Sequence, residues 1–181
     1  MYQGSNKTAI TSQNMFADAL LTLLKTNSYE NISISQLCTA AKVSRQTFYI
    51  LFQSKENVIY YIITRNFSFL GRTISKDHKT INLDQLCDYF IGYVNRNTGF
   101  LNLLYKNNLL SLLFSNFYNC ILKYYDIFMI SPAIEKKYFA GFLAGALTSI
   151  IKIYLETDSP KTSSFLYETT YTLLSGNIFK Q

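Results

Sequence analysis

The chain has 181 residues, 49% of them hydrophobic and 15% charged, so it can bury a core and is not a globally disordered segment. Its net charge is +6, while three separated cysteines and a single histidine exclude a disulfide framework and a structural zinc cluster of the usual Cys/His spacing. Residues 1–66 carry six bases and three acids and residues 67–181 carry eleven and eight, so each part is +3 and the shorter part is the more densely basic. Met1 to Asn14 is polar and lacks the apolar centre of a signal peptide, which points to a reduced, cytoplasmic setting. The greasiest uncharged run, Tyr138 to Ile151, falls short of the ~20 residues that span a bilayer and reads as a buried helix with no membrane partner.

Helical spacing dominates the chain, with Ser/Asn/Asp clusters between periodic segments, and predicts an all-α protein. Ala17, Leu20, Leu21 and Leu24 form one apolar stripe on a first helix over Thr8 to Thr26, ended by Asn27 and Ser28. Ser33 with Gln36 three residues on is a capping box and starts a short helix that ends near Ala41. Lys42 and Val43 make a tight turn. Ser44 caps a second short helix, Arg45 to Phe52, and Ser54 caps a fourth helix with Glu56 in its first turn. Farther on, Asp84 opens a helix to about Asn95, and Thr98 to Phe128 divides into two helices near Asn107-Asn108. Ser131-Pro132 starts a helix that reaches about Glu156; Ser159-Pro160 starts the last one, which Gly176 ends.

Two short helices joined by a tight turn and flanked by longer ones make a helix-turn-helix, with the second short helix as the reader. Phe48, Leu51 and Phe52 belong to its inward side; Gln46, Tyr49, Ile50 and Gln53 fall on another face. No acid stands between Glu30 and Glu56, while Lys42, Arg45 and Lys55 lie inside that stretch, as suits an approach to phosphates. Arg and Gln can read base edges, Tyr and Thr can reach phosphates, and Ile can touch a thymine methyl.

Residues 32–59, ISISQLCTAAKVSRQTFYILFQSKENVI, resemble the DNA-binding domain of the TetR family. The resemblance rests on Ala40-Ala41-Lys42-Val43-Ser44, on Thr47-Phe48-Tyr49-Ile50-Leu51-Phe52 and on Lys55-Glu56. It departs at Lys42, where the family often has Gly, and at Leu51, where it often has His. A Lys at a positive φ carries strain on the order of 1 kcal/mol. The DNA-binding residues that the resemblance implies are Ser33, Ser35, Arg45, Gln46, Thr47, Tyr49 and Lys55. Arg45 and Gln46 would read bases, and Ser33, Thr47, Tyr49 and Lys55 would hold the backbone.

Tyr138 to Leu155 places Gly141 and Gly145 in a ribbon of small residues with Ala140, Ala144 and Ala146, a pattern suited to close packing within or between chains. The last two helices resemble the dimerisation pair of TetR-like proteins of a low-GC Gram-positive subgroup, with Tyr154 at the place of a Trp. Gly141, Ala144, Gly145 and Thr148 are the expected interface residues. One short reading helix covers too few base pairs alone, so a homodimer on a palindromic double-stranded operator is expected.

The expected organisation is a helix-turn-helix domain of three helices over 1–66 and a helical-bundle regulatory and dimerisation domain over 67–181. By resemblance the chain is a repressor released by a small hydrophobic or aromatic ligand in the body; no ligand residues are assigned, and no cofactor or metal is expected. The competing reading is a dimeric scaffold or architectural DNA-binding protein without ligand control. An enzyme is disfavoured: there is no phosphate-binding Gly loop or HExxH string, and His78, among Lys76, Asp77, Lys79 and Thr80, reads as a solvated loop.

Overall fold

The computed structural model describes residues 1–77, 80–128, 134–157 and 162–176. The described residues form eight α-helices, one 3-10 turn and no strand: α1 Lys7–Leu23, α2 Ile34–Ala41, α3 Arg45–Leu51, α4 Lys55–Asp77, α5 Leu83–Lys106, α6 Leu110–Lys123, the turn Tyr125–Ile127, α7 Lys136–Glu156 and α8 Ser163–Leu174. The fold is all-α, as the periodicity predicts. The chain divides into two compact units, Met1–Arg65 and Asn66–Gln181.

The core of the first unit, the head, is aromatic. Phe16 of α1 meets Phe48 edge-on at 5.4 Å and Phe52 at 5.8 Å, and all three rings are fully buried. The stripe on α1 faces inward, with Ala17, Leu20 and Leu24 buried. Burying such side chains contributes roughly 1.5–3 kcal/mol each for the large ones, which fixes the two short helices α2 and α3 that would not be stable alone. Helix α1 stops at Leu23 instead of Thr26. Asn27 turns its amide nitrogen Nδ2 back to the Leu23 carbonyl at 3.1 Å and caps the end from outside, without adopting a positive φ.

In the second unit, the body, α6 packs most extensively on α7, and α5 packs on α6, α7 and α8. Two predicted boundaries move. Helix α5 is capped by Asn82, whose side chain accepts from the Gln85 amide at 2.9 Å while Gln85 Oε1 accepts from the Asn82 amide at 3.0 Å; Asp84 lies in the first turn. The helix also runs past Asn95 to Lys106, because Asn97 and Thr98 bond back to the Tyr93 and Val94 carbonyls at 2.8 and 2.9 Å. The break at Asn107-Asn108 stands, with Asn108 at φ 57. Gly176 ends α8 with φ +80. Helix α7 starts at Lys136 behind Glu135, and α8 starts behind Thr162, whose hydroxyl accepts from the Phe165 amide at 3.2 Å. The starts expected at Ser131-Pro132 and Ser159-Pro160 lie outside the described residues, as does His78; Lys76 and Asp77, expected in a loop with it, belong to α4.

With 21 residues, α7 is long and apolar enough to cross a membrane by length and composition, contrary to the shorter run expected. One of its faces packs into the body, burying Ala140, Leu143, Ala144, Leu147, Ile150 and Ile151.

Candidate nucleic-acid interface

The head's two short helices are held by their own caps. Ser33 Oγ accepts from the Gln36 amide at 3.1 Å and Gln36 Oε1 accepts from the Ser33 amide at 2.8 Å, the reciprocal box that the sequence predicts. Ser44 Oγ accepts from the Thr47 amide at 3.1 Å, and the Ser44 and Thr47 hydroxyls share a hydrogen bond of 2.9 Å. Between them Lys42 takes the left-handed conformation at φ 54, and the Lys42 and Val43 amides return to the Thr39 and Cys38 carbonyls, both at 3.1 Å. The three-residue link Lys42 to Ser44 thereby has its first two amides bonded without Gly.

This turn sets the outer face of α3. Phe48 and Leu51 are buried, and Phe48 presents its ring edge-on to Tyr49 at 5.4 Å. Arg45 and Gln46 are exposed, Tyr49 is 52% exposed and Ile50 is 65% exposed. A guanidinium, an amide, a phenol and a branched alkyl group thus share one short exposed helix. The Arg45 guanidinium donates through Nη2 to Ser35 Oγ, tying α3 to α2 while using one of its five N–H donors.

The expected residues take different positions. Arg45, Gln46, Tyr49 and Thr47 lie on α3, and Ser33 and Ser35 on the start of α2. Ser33 is occupied as a cap, and Thr47 is half-buried in its own cap bond. Lys55 behaves otherwise: its ammonium donates to the Tyr29 carbonyl at 2.8 Å and the Ile32 carbonyl at 2.6 Å and lies 4.5 Å from the centre of the Tyr29 ring. Two of its three donors are spent inside the head. Beside it the Glu56 carboxyl is held below the usual carboxylate range, first by its own backbone N–H and then by the Ser54 and Tyr29 hydroxyls. Burial, then the Glu56 carboxylate, pushes the Tyr29 phenol up. An ionised Glu56 in the first turn of α4 favours that helix dipole.

Sequence reasoning missed a second support. The Tyr2 amide donates to the Leu51 carbonyl at 2.7 Å, and the Tyr2 carbonyl accepts from Gln13 Nε2 at 3.0 Å. Gln13 is 3% exposed, and only a polar residue buried on the apolar side of α1 marked the contact in advance.

Residues 17–61 match the family model described as bacterial regulatory proteins, tetR family. The head is thus similar in sequence to the DNA-binding domain of that family. Over 64 residues the chain is 38% identical to the HTH-type dhaKLM operon transcriptional activator DhaS of Lactococcus lactis, covering 35% of this chain and 34% of that protein. The chain thus spans about a third of the length of the curated relative it matches. The whole fold is similar to Lin0861 from Listeria innocua, with a TM-score of 0.83 at 16% identity over 98% of this chain and 96% of that one. It is also similar to a TetR transcriptional regulator from Streptococcus agalactiae, with a TM-score of 0.62 at 18% identity over 93% and 96% of the two chains. The head therefore supplies the sequence match, and the body is matched at the level of fold.

Outside the head, the small-residue ribbon of α7 divides. Ala140 and Ala144 are fully buried in the chain's own core. Gly145 sits 3.9 Å, measured from an added Cβ, from the Phe114 ring of α6, whereas a Cβ at Gly141 would meet nothing. Thr148 is half-buried, with its hydroxyl oxygen enclosed. The apolar groups that α7 exposes are Tyr138 at 75%, Phe142 at 64% and Ile153 at 58%; α8 adds Phe165 and Leu173.

Proposed function

We propose that this chain is a sequence-specific transcriptional regulator that binds a palindromic DNA operator as a homodimer and is a repressor released by a small molecule. The carrying observation is the exposed face of α3 in a head similar in sequence to the tetR-family domain: Arg45, Gln46, Tyr49 and Ile50 on a helix anchored by Phe48 and Leu51. Arg45 and Gln46 read base edges, Ile50 meets a thymine methyl, and Tyr49, Thr47 and Ser35 hold phosphates. Ser33 and Lys55 act by fixing the short helices. Two copies meet through the exposed apolar faces of α7 and α8, around Gly141 and Phe142, and form a four-helix bundle. Large aromatic groups at this exposure are what a subunit contact covers.

The setting is cytoplasmic and the chain is a binding protein, not an enzyme. Selection from random DNA duplexes tests this reading. An enriched inverted repeat, lost together with dimerisation, supports it; binding with no enriched sequence favours an architectural role. The Lactococcus relative is named an activator, so a reporter placed behind the selected site distinguishes repression from activation.

A further inference from the structure

Helix α3 is only 7 residues long, so the way its two ends are held decides where its side chains point. Its front end is fixed by neighbours: Ser44 Oγ accepts from the Thr47 amide at 3.1 Å, and the Arg45 guanidinium reaches Ser35 of α2. Its far end cannot continue as a helix. The chain leaves through Phe52 at φ -125 and Gln53 at φ 70, so the carbonyls of the last turn need partners from elsewhere. Asn57 of α4 donates its side-chain amide to the Phe52 carbonyl, and the Tyr2 amide donates to the Leu51 carbonyl at 2.7 Å. One cap on the end of α3 is thus supplied by the segment that precedes α1.

The donor is itself held in place. Gln13 of α1 donates Nε2 to the Tyr2 carbonyl at 3.0 Å and is buried, at 3% exposure. A buried side-chain amide has given up its water, so this hydrogen bond is costly to open. Gln13 stands one turn ahead of Phe16 on the same side of α1, and Phe16 meets Phe48 of α3. The face of α1 that packs on α3 therefore also grips the arm that caps it. The Tyr2 ring folds over Gly4, where a Cβ would strike its hydroxyl, and that hydroxyl accepts from the Asn6 amide at 3.3 Å. Asn6 caps α1, its side chain accepting from the Thr8 and Ala9 amides at 2.9 and 3.3 Å. Residues 2–6 thus form a closed arm, rooted in α1 at Asn6 and seated on Leu51 at Tyr2.

We infer that residues 2–6 clamp the far end of α3, and that the Tyr2 backbone and the Gln13 side chain are positioning groups for base discrimination that touch no DNA themselves. This rests on reading α3 as the helix that reads bases. With the clamp closed, Arg45, Gln46 and Ile50 keep one orientation; with it open, the last turn of α3 loses the partner of its Leu51 carbonyl and frays. Hydrogen bonds to base edges weaken steeply with misalignment, whereas attraction to phosphates carries no sequence information. Opening the clamp therefore lowers specific binding and spares non-specific binding.

The test uses the full chain, Gln13→Met, a deletion of residues 2–5 that keeps the Asn6 cap, the two combined, and Tyr2→Phe, which keeps the clamping amide and carbonyl. Binding is read well below each melting midpoint, on the selected duplex and on a scrambled one. Gln13→Met and the deletion should each weaken the selected duplex about tenfold, the size of one lost base contact, with the scrambled duplex and the salt slope unchanged. The combination should be no worse than either alone, because both open one clamp, and Tyr2→Phe should match the native chain. Equal weakening on both duplexes with a smaller salt slope overturns the inference, since the arm would then be a phosphate contact. So does a variant that melts lower yet keeps the native preference. Amide exchange without DNA reads the clamp by itself. The α3 amides should exchange at least about tenfold faster in Gln13→Met and the α2 amides as before; unchanged α3 exchange overturns the clamp. A native chain that prefers no duplex refutes base reading by α3, a result separate from the exchange.

Discussion

The Lys55 ammonium donates to the Ile32 carbonyl at 2.6 Å, joining the first residue of α4 to the residue just before the cap of α2. A Lys opening a helix opposes the helix dipole, and here it is compensated by two carbonyls and the face of a tyrosine. Lys55→Met keeps the stem and leaves both carbonyls without their cation. The expected result is a loss of roughly 1–3 kcal/mol in denaturant unfolding with the selected DNA sequence unchanged. A stable variant with altered sequence preference would move Lys55 into the DNA contact set.

Lys42 stands at φ 54, where L side chains are strained. Lys42→Gly should raise stability by up to ~1 kcal/mol, a few degrees in melting temperature, while Lys42→Ala should not. The same change removes one exposed cation, so affinity for every duplex should fall together and the salt slope should shrink by about one ion.

The double substitution Tyr138→Glu and Phe142→Glu places charge on the exposed face of α7. Sedimentation should give a monomer whose helicity is retained, with affinity for an inverted repeat reduced to that for a half-site. By contrast, Ala144→Met overfills the chain's own core and should cost ~1–3 kcal/mol. If Ala144→Met alone dissociated the dimer without loss of stability, the division of α7 into inner and outer faces would fail.

Cys87 is fully buried, and its thiol is pushed up from 9.0 to about 11 by burial and by Asp84 and Asp88. The folded chain therefore keeps this proton where the unfolded chain has lost it. The stability linked to it is whole below pH 9.0 and is lost as pH rises through about 11. Melting followed between those limits should show a decline that Cys87→Ala makes shallower.

The head was legible because its signals are local. A capping box at Ser33 and Gln36, a cap at Ser44 and the inward set Phe48, Leu51 and Phe52 all act within four or five residues. Even the strained turn could be placed, since the left-handed conformation at Lys42 follows from the two short helices that it joins. What stayed hidden is tertiary. No spacing rule says that Lys55 reaches back to Tyr29 and Ile32, or that Tyr2 docks on the end of α3. In the body, Asn95 to Thr98 reads as a helix breaker, yet Asn97 and Thr98 return their side chains to their own helix and α5 continues. The small residues of α7 signalled close packing, but not which neighbour; Ala140 and Ala144 proved to face the core.

The central claim is base reading by the exposed face of α3. The most direct measurement compares the native chain with an Arg45→Ala/Gln46→Ala variant on the selected duplex and on a scrambled one, across a salt series. Each lost base contact should cost ~1–3 kcal/mol on the selected site, leaving a weak, salt-sensitive affinity equal for both duplexes. A folded variant that still prefers the selected site by the native margin would contradict the account.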